Sequence, residues 1–264
     1  VGLASVSLGA NNRALGDFST ALGISSTASG NRSISLGPYS TSAGFASTTV
    51  GYRNETTSDA SFALAGGVGS KAYASGAIAF GAYCHAYGSR SVAMGDACTT
   101  DGSGSVAMGK GSDALATGAI AFGLGNIADG VRSVAMGAGA FTNKMEGAFV
   151  FNGGVEKSVA HATRAGQVVF LGSGGLNFYA SADTSEINSF VIMPGSGNIG
   201  VGTFNPTEKM EISGGSLLMT EGDIKLSGGT IIEGFGKNTK IADYVFTDDF
   251  ELESIEAHAE FMWA

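Results

Sequence analysis

A five-residue unit recurs along the first part of the chain, and its second and fourth positions are large and apolar. Ser91–Gly95, Ser105–Gly109 and Ser133–Gly137 are the clearest copies, each with small residues beside the apolar ones. Ser61–Leu64 supplies a copy missing from the middle of the series, and Ala148–Asn152 is a last, imperfect one. The pattern predicts about ten coils and a degenerate eleventh. The closing glycine recurs mostly in steps of 14 residues, at Gly9, Gly23, Gly37, Gly51, Gly81, Gly95, Gly109, Gly123 and Gly137.

Each 14-residue unit is predicted to form one coil of a β-solenoid. A second glycine often follows the first after seven residues, as at Gly16, Gly30 and Gly88. Each unit therefore contains two short segments that end in tight turns. Helical-hairpin repeats need more than about 30 residues, which excludes them. Two short strands and two turns fit the length, and ten coils at about 4.8 Å each form a rod about 50 Å long.

The alternation within the unit predicts two faces of different character. Val92 and Met94 lie on a bulky apolar face, whereas Ser91 and Ala93 lie on a small one. We expect the bulky face to fill the interior of the coil and the small face to let a neighbouring chain approach closely. Because a coil of this size has almost no interior, burial of the bulky rows is also expected to require partner subunits.

Composition and charge exclude several classes of protein. Gly supplies 43 of the 264 residues, and it does not recur at every third position, which excludes collagen. The 44% of apolar residues argues against full disorder, and no run of about 18 apolar residues is present to span a membrane. Residues 1–150 carry eight basic and eight acidic side chains, whereas residues 151–264 carry six and fifteen. Neither nucleic acid nor an anionic membrane is an expected partner, since both require a basic surface.

The repeats resemble the head repeats of trimeric autotransporter adhesins, whose pattern reads roughly S-V-A-I-G followed by a turn spaced by Ala and Gly. Ala86–Gly95 and Ala128–Gly137 carry this pattern most fully. The resemblance covers about residues 1–152 and implies a left-handed parallel β-roll in which three chains share one axis. The expected fold class is therefore all-β: a trimeric β-roll of 14-residue coils, followed by a Gly-rich β fibre region.

Two later segments are similar to parts of bacteriophage tail-fibre proteins. Gly197–Ile212 resembles the segment that precedes a C-terminal intramolecular chaperone in many of them, and Ala242–Ala257 resembles a stretch near that chaperone. The resemblance implies an extracellular homotrimeric fibre on a phage or phage-tail-like particle. Such a fibre binds a glycan or protein receptor and joins the baseplate or other tail proteins through further regions. The alternative is the head of a bacterial autotransporter adhesin, and a polysaccharide-degrading solenoid enzyme is a third hypothesis.

Three regions are expected along the chain. Residues 1–152 form the β-roll, residues 153–240 form a Gly-rich β region that continues the fibre, and residues 241–264 begin a truncated C-terminal module. Apolar spacing from Asp248 to Met262 predicts a short helix in the last region. Both ends look cut, so the chain is interpreted as a piece of a longer fibre. Four strands are predicted in the second region, at Gln167–Leu171, Asn188–Met193, Lys209–Ile212 and Asp223–Leu226.

Cys84 and Cys98 lie one 14-residue step apart and are therefore expected to stack on adjacent coils. Small ladder residues without a chemical role are the favoured interpretation. A disulfide between the two is the alternative interpretation, because a Cα spacing of about 4.8 Å falls within the range that disulfides require. A metal site made from two thiols lacks further ligands. The equivalent positions hold small polar residues, at Ser26, Ser40, Ser112 and Asn126.

Other polar residues have no spacing that indicates catalysis. Gly195–Gly200 satisfies the dinucleotide fingerprint, but no helix-forming stretch follows, so a tight turn is expected. Four aspartates fall in successive turns and are expected to serve those turns, at Asp96, Asp101, Asp113 and Asp129. The histidines have neither metal-ligand nor triad spacing, at His85, His161 and His258. No catalytic residue, cofactor or metal is predicted.

Tyr73, Tyr83 and Tyr87 cluster with His85 in the middle coils. An exposed aromatic patch stacks well on a sugar or a protein receptor, so the three tyrosines are the candidate receptor-binding residues. Packing along the edge of the roll, or against the next subunit, is the alternative interpretation.

Overall fold

All of the described secondary structure is β-strand. Val1–Leu217 form one compact unit and Leu218–Ala264 another, and the second lies wholly outside the described residues. The predicted strand at residues 223–226 and helix at residues 248–262 lie there. No helix among the described residues is long and apolar enough to cross a membrane. The computed structural model describes residues 1–154, 159–173, 175–179, 189–193, 196–203, 205–214 and 217.

Two parallel sheets run side by side through the repeat region. The long-strand sheet has twelve strands: β1 (Val6–Ala10), β3 (Thr20–Ile24), β5 (Ile34–Leu36), β7 (Thr48–Tyr52), β9 (Leu64–Val68), β11 (Ile78–Ala82), β13 (Val92–Asp96), β15 (Val106–Lys110), β17 (Ile120–Leu124), β19 (Val134–Ala138), β21 (Phe149–Asn152) and β23 (Val168–Leu171). The short-strand sheet has eleven: β2 (Arg13–Ala14), β4 (Thr27–Ala28), β6 (Thr41–Ser42), β8 (Glu55–Thr56), β10 (Lys71–Ala72), β12 (His85–Ala86), β14 (Thr99–Thr100), β16 (Asp113–Ala114), β18 (Ile127–Ala128), β20 (Ala140–Phe141) and β22 (Ala160–His161).

Successive coils are stacked in register. Ala79 of β11 pairs with Ala93 of β13, and Ala93 pairs with Ala107 of β15, each one repeat further along the chain. This parallel pairing confirms the all-β solenoid expected from the 14-residue period. Both ladders continue past residue 152, because β22 pairs with β20 and β23 pairs with β21 across a longer connection.

The small residues, and not the bulky ones, fill the interior of each coil, so the expected assignment of the two faces was wrong. Ala79 and Ala93 are fully buried between the two sheets, while Phe80 points outward and is 46% exposed. Short turns join the two strands of a coil and hold the sheets close together. Methyl and hydroxyl groups fit that space, and Val150 is the largest fully buried side chain among the described residues.

The glycine that closes each long strand is held against the next coil. Gly95 has φ 122°, in the region that L-residues rarely adopt. A Cβ at this position would also overlap the carbonyl oxygen of Gly109, one coil further on. The tight stacking of backbone on backbone explains why glycine recurs there.

A third sheet follows the solenoid and contains β24 (Leu176–Tyr179), β25 (Ser189–Ile192), β26 (Ile199–Val201) and β27 (Met210–Ile212). β25 is antiparallel to both β24 and β26, whereas β26 and β27 are parallel. Three of the four strands predicted after residue 152 are therefore present, as β23, β25 and β27. Gly200 of the fingerprint segment lies in β26, and the segment is not followed by a helix in the described residues.

Candidate binding surfaces

The turns after the first nine long strands each hold a polar or thiol side chain, and several of these side chains bond to two coils. Asn54 Nδ2 donates to the Val50 and Gly67 carbonyl oxygens, both at 2.8 Å. Asn54 Oδ1 accepts from Ser70 N at 2.9 Å, and Ser70 Oγ in turn donates to the Gly81 carbonyl oxygen at 3.1 Å. These bonds satisfy backbone groups at the turns, which would otherwise be buried without a partner. We call this series the polar ladder, formed by Asn12, Ser26, Ser40, Asn54, Ser70, Cys84, Cys98, Ser112 and Asn126.

Cys84 and Cys98 are adjacent members of the polar ladder, and both are buried and free. Cys98 Sγ donates to the Gly109 carbonyl oxygen at 3.3 Å, as the serines of the ladder do. The hydrogen bond to Cys98, together with burial, raises the pKa of the Cys84 thiol. Among the described residues, no group of three or more His, Cys, Asp or Glu could hold a metal ion. Cys98 therefore takes the place of a ladder hydroxyl, whereas Cys84 Sγ lies 3.7 Å from the Ala82 carbonyl oxygen of its own coil.

Two of the three candidate tyrosines lie together, and the third lies apart. Tyr73 and Tyr87 are stacked, with ring centroids 4.4 Å apart and planes 9° from parallel. His85 lies edge-on to both, at 6.2 Å from Tyr73 and 5.9 Å from Tyr87. Within the described residues Tyr83 has no such ring contact, and it lines a cavity together with His85.

That cavity has a volume of about 380 Å³. It lies on the short-strand sheet, beside the turn that connects each long strand to the following short strand. Arg53, Gly69 and Tyr83 are equivalent residues of three successive coils, because each donates its backbone N–H to the corresponding carbonyl of the coil before it. Tyr39 and Tyr83 are 54% and 61% exposed. We call this the Arg53 cavity, and its charged and aromatic lining consists of Tyr39, Arg53, Glu55, Lys71, Tyr83 and His85.

The charges in the Arg53 cavity are unevenly matched. Lys71 Nζ lies 2.9 Å from Glu55 Oε2, and this contact raises the pKa of Lys71. Burial and the neighbouring Lys71 lower the pKa of His85, which keeps its imidazole neutral at pH 7. The Arg53 guanidinium lies 5.2 Å from the Tyr52 ring centroid, and it has no ion pair or side-chain hydrogen bond with any described residue. One cation is thus left for an external partner.

Two of the four aspartates expected in turns lie in strands instead: Asp96 is the last residue of β13 and Asp113 is the first of β16, because the parallel pairing between coils extends to include them. Asp129 Oδ1 accepts from Lys144 N at 2.7 Å, and Asp96 lies 3.7 Å from Lys110 Nζ. Burial raises the pKa of Asp113, and the nearby Asp101 carboxylate adds to this rise.

The other two histidines, His161 and His258, lie far along the chain from His85. His161 stacks on Phe141, with a centroid distance of 5.2 Å. His258 lies outside the described residues.

The outward side of the long-strand sheet is a continuous apolar strip, which we call the apolar face. Two large side chains from most strands point outward, such as Ile78 and Phe80 of β11, and they have little cover within one chain. The strip runs along all twelve strands, a length of about 55 Å at the usual strand spacing. Its most exposed members include Val6, Leu8, Ile34, Val50, Phe80, Ile120, Phe122, Phe151, Val168 and Phe170.

Comparison with known protein families matches four segments of the solenoid. The YadA head domain repeat matches residues 2–23, 14–40, 86–112 and 114–140. A search of curated proteins finds no match. The matched segments coincide with in-register coils of both parallel sheets. The solenoid of this chain therefore carries YadA-type head repeats, the repeats of trimeric autotransporter adhesins that its pentapeptides resemble.

Proposed function

We propose that the chain is part of the head of a trimeric adhesive fibre exposed outside the cell, where it binds molecules of a target surface. The apolar face is the observation that carries this proposal. A soluble monomer rarely exposes a continuous apolar patch beyond about 300–600 Å², and larger patches mark interaction sites. Three copies with their apolar faces turned toward one axis would bury this strip from end to end.

The repeat type supports the number of chains and the adhesive role. YadA-type heads are trimers that bind surface molecules, and the matched segments cover coils near both ends of the solenoid. The left-handed sense of the roll implied by the resemblance remains a prediction. No enzymatic activity is proposed, since a solenoid of adhesin repeats is suited to presenting a surface.

The head of a bacterial autotransporter adhesin is the preferred form of this proposal, because the family match supports it directly. A phage or phage-tail-like fibre, with baseplate partners, is the second candidate. It rests on the resemblance of Gly197–Ile212 to tail-fibre segments. This stretch contains β26 and β27, which pair in parallel.

Light scattering after size exclusion tests the trimer. We expect a mass of three times 26.4 kDa, and a monomer that binds no cells would overturn the proposal. Labelled trimer should also bind target cells in a saturable way. Antibodies against the chain then separate the two candidates: labelling of the bacterial outer surface supports an adhesin, whereas labelling of purified particles supports a tail fibre.

A further inference from the structure

We propose that the Arg53 cavity binds a carboxylated sugar, such as a terminal sialic acid or a uronic acid of a surface glycan. The proposal rests on the adhesive function above and names the chemistry of its receptor. It assigns the binding role to Arg53, Tyr39 and Tyr83. The stacked pair Tyr73–Tyr87 is not part of the site.

Arg53 supplies the reason for a carboxylate. Its guanidinium has a cation–π contact with Tyr52 and no anionic partner among the described residues. Glu55 already neutralises Lys71, so the cavity keeps one positive charge. A guanidinium held against an aromatic ring presents a planar fork of N–H donors, which matches a carboxylate in two parallel hydrogen bonds.

Tyr39 and Tyr83 supply the reason for a sugar. Both residues are more than half exposed, and they lie on either side of Arg53 in the series of equivalent turn residues that we call the turn ladder, formed by Tyr39, Arg53, Gly69, Tyr83, Ala97, Gly111 and Gly125. Exposed tyrosine rings offer an apolar surface for the C–H face of a sugar and a hydroxyl for hydrogen bonding. Glu55 and His85 add an acceptor and a neutral imidazole to the same cavity.

Gly69 shapes the space between Arg53 and Tyr83. It occupies the equivalent turn position on the intervening coil, and the Tyr83 ring lies over it. A Cβ on Gly69 would come within 2.9 Å of Tyr83 Cδ1, so only glycine lets the ring lie in this place.

The turn ladder also shows that the solenoid does not need these side chains. Tyr39, Arg53 and Tyr83 have φ between 54° and 58°, where a bulky residue is strained. Gly111 and Gly125 occupy the same position in later coils and relieve that strain. Ser25 and Ala97 also occupy it, with φ 54° and 52°, so the fold accepts several residue types here and does not require a tyrosine or an arginine.

The location of the Arg53 cavity suits a receptor site. It lies on the short-strand sheet, whereas the apolar face belongs to the long-strand sheet, so trimer formation through the apolar face leaves the short-strand side available. Most of the cavity also falls between residues 40 and 86, outside the segments that match the adhesin repeat. One coil step in this part of the chain has 16 residues instead of 14, from Arg53 to Gly69.

Calorimetry on the oligomer tests the proposal with three probes: a sialylated trisaccharide, a uronic acid disaccharide, and lactose as the neutral control. We expect one carboxylated sugar to bind and lactose to bind at least about tenfold more weakly. Arg53→Gln should lower the affinity by a similar factor. Arg90→Gln is the matched control, because Arg90 is also exposed with φ 56° but lies on the other turn.

Gly69→Ala provides a second, independent variant. We expect the new methyl group to displace the Tyr83 ring and weaken sugar binding several-fold. Gly111→Ala is its control, since Gly111 has φ 59° at the equivalent position and no atom within 4 Å of an added Cβ. Ala97 already occupies this turn position with φ 52°, so alanine is compatible with the backbone.

Cell binding separates the sources of the sugar and the two proposals. Loss of binding after sialidase treatment indicates sialic acid, and loss after removal of uronate polymers indicates uronic acid. If the trimer binds cells but neither treatment nor Arg53→Gln reduces binding, the sugar proposal is overturned and the adhesive function stands. Binding that Arg53→Gln abolishes but both treatments leave intact also overturns the sugar, and indicates an acidic protein receptor. Failure of every probe and of cell binding overturns both.

Discussion

Asn126 Nδ2 donates to the Gly137 carbonyl oxygen at 2.9 Å and so ties one coil to the next. The same amide donates to the Phe122 carbonyl oxygen at 2.8 Å, and Asn126 Oδ1 accepts from Ala140 N at 2.8 Å. Asn126→Ala should therefore lower the free energy of unfolding by about 2–4 kcal/mol, because several backbone groups lose their partner in a buried place. Chemical denaturation measures this loss.

Asn126→Ser is the matched control for that variant. Ser112 occupies the preceding step of the polar ladder and donates to the Gly123 carbonyl oxygen at 3.0 Å. We expect serine to keep one inter-coil bond and to cost less than half as much as alanine. Equal losses for the two variants would show that the ladder bonds do not set the stability.

Much of the solenoid follows from the sequence because its strongest signal, the closing glycine, has a strict physical cause. Gly95 cannot carry a Cβ against the next coil, and the same holds for the equivalent glycines. The spacing between these glycines therefore equals the number of residues in one coil. Alternation alone does not show which face turns inward. Ala79 and Phe80 would each satisfy the pattern on either side, and only the distance between the sheets assigns alanine to the interior.

Closeness along the chain did not reveal the Arg53 cavity. Tyr83 stands close to Tyr73 and Tyr87 in the chain, which suggested one aromatic cluster. The coil instead places Tyr83 on the turn ladder, next to Gly69 and Arg53 from the preceding coils. Equivalence across coils, counted at 14 or 16 residues, is the signal that brings these residues together.

The buried thiols should be unreactive in the folded protein. Cys84 and Cys98 are fully buried, so iodoacetamide cannot reach either sulfur in the folded protein, although the hydrogen bond with Cys84 lowers the pKa of Cys98 to about 7 while the pKa of Cys84 is raised. We expect iodoacetamide to modify both only after denaturation, as measured by mass spectrometry. Replacement of both by Ser should change the melting temperature little, because Ser70 and Ser112 fill the neighbouring steps. Rapid modification of the native protein would contradict this.

His85 should make the free energy of unfolding depend on pH at values below the ordinary pKa of histidine. Burial and Lys71 lower its pKa in the folded protein, so the folded state binds this proton less readily than the unfolded one. The contribution of His85 to the free energy of unfolding is fully present above about pH 6.5. It is lost as the pH falls through the pKa that His85 has in the folded protein. His85→Thr, the residue found at Thr99 one coil later, should remove this part of the slope. Identical pH profiles for the two proteins would contradict the expectation.

Gly95→Ala should break the stacking of two coils. The added Cβ would overlap the Gly109 carbonyl oxygen and hold alanine at φ 122°, so we expect a loss of more than about 3 kcal/mol in the free energy of unfolding. Gly104→Ala is the control, because Gly104 has φ 65° and no atom within 4 Å of an added Cβ. Its expected loss is only about 1 kcal/mol, the usual cost of a left-handed alanine. Similar melting curves for both variants would show that the contact with the next coil is not limiting.

Phe80→Glu should prevent the chains from associating without unfolding the coil. Phe80 lies in the apolar face, 46% exposed, and packs over Gly66 of the preceding coil, so its outward side is free to contact another chain. A carboxylate there would have to be buried without a partner in a trimer, which costs several kcal/mol per chain. We expect light scattering to show a monomer, while circular dichroism keeps its β signal. Tyr87→Glu is the matched control, since Tyr87 is 44% exposed but lies on the short-strand side. A trimer that survives Phe80→Glu and dissociates with Tyr87→Glu would place the subunit contact on the opposite sheet.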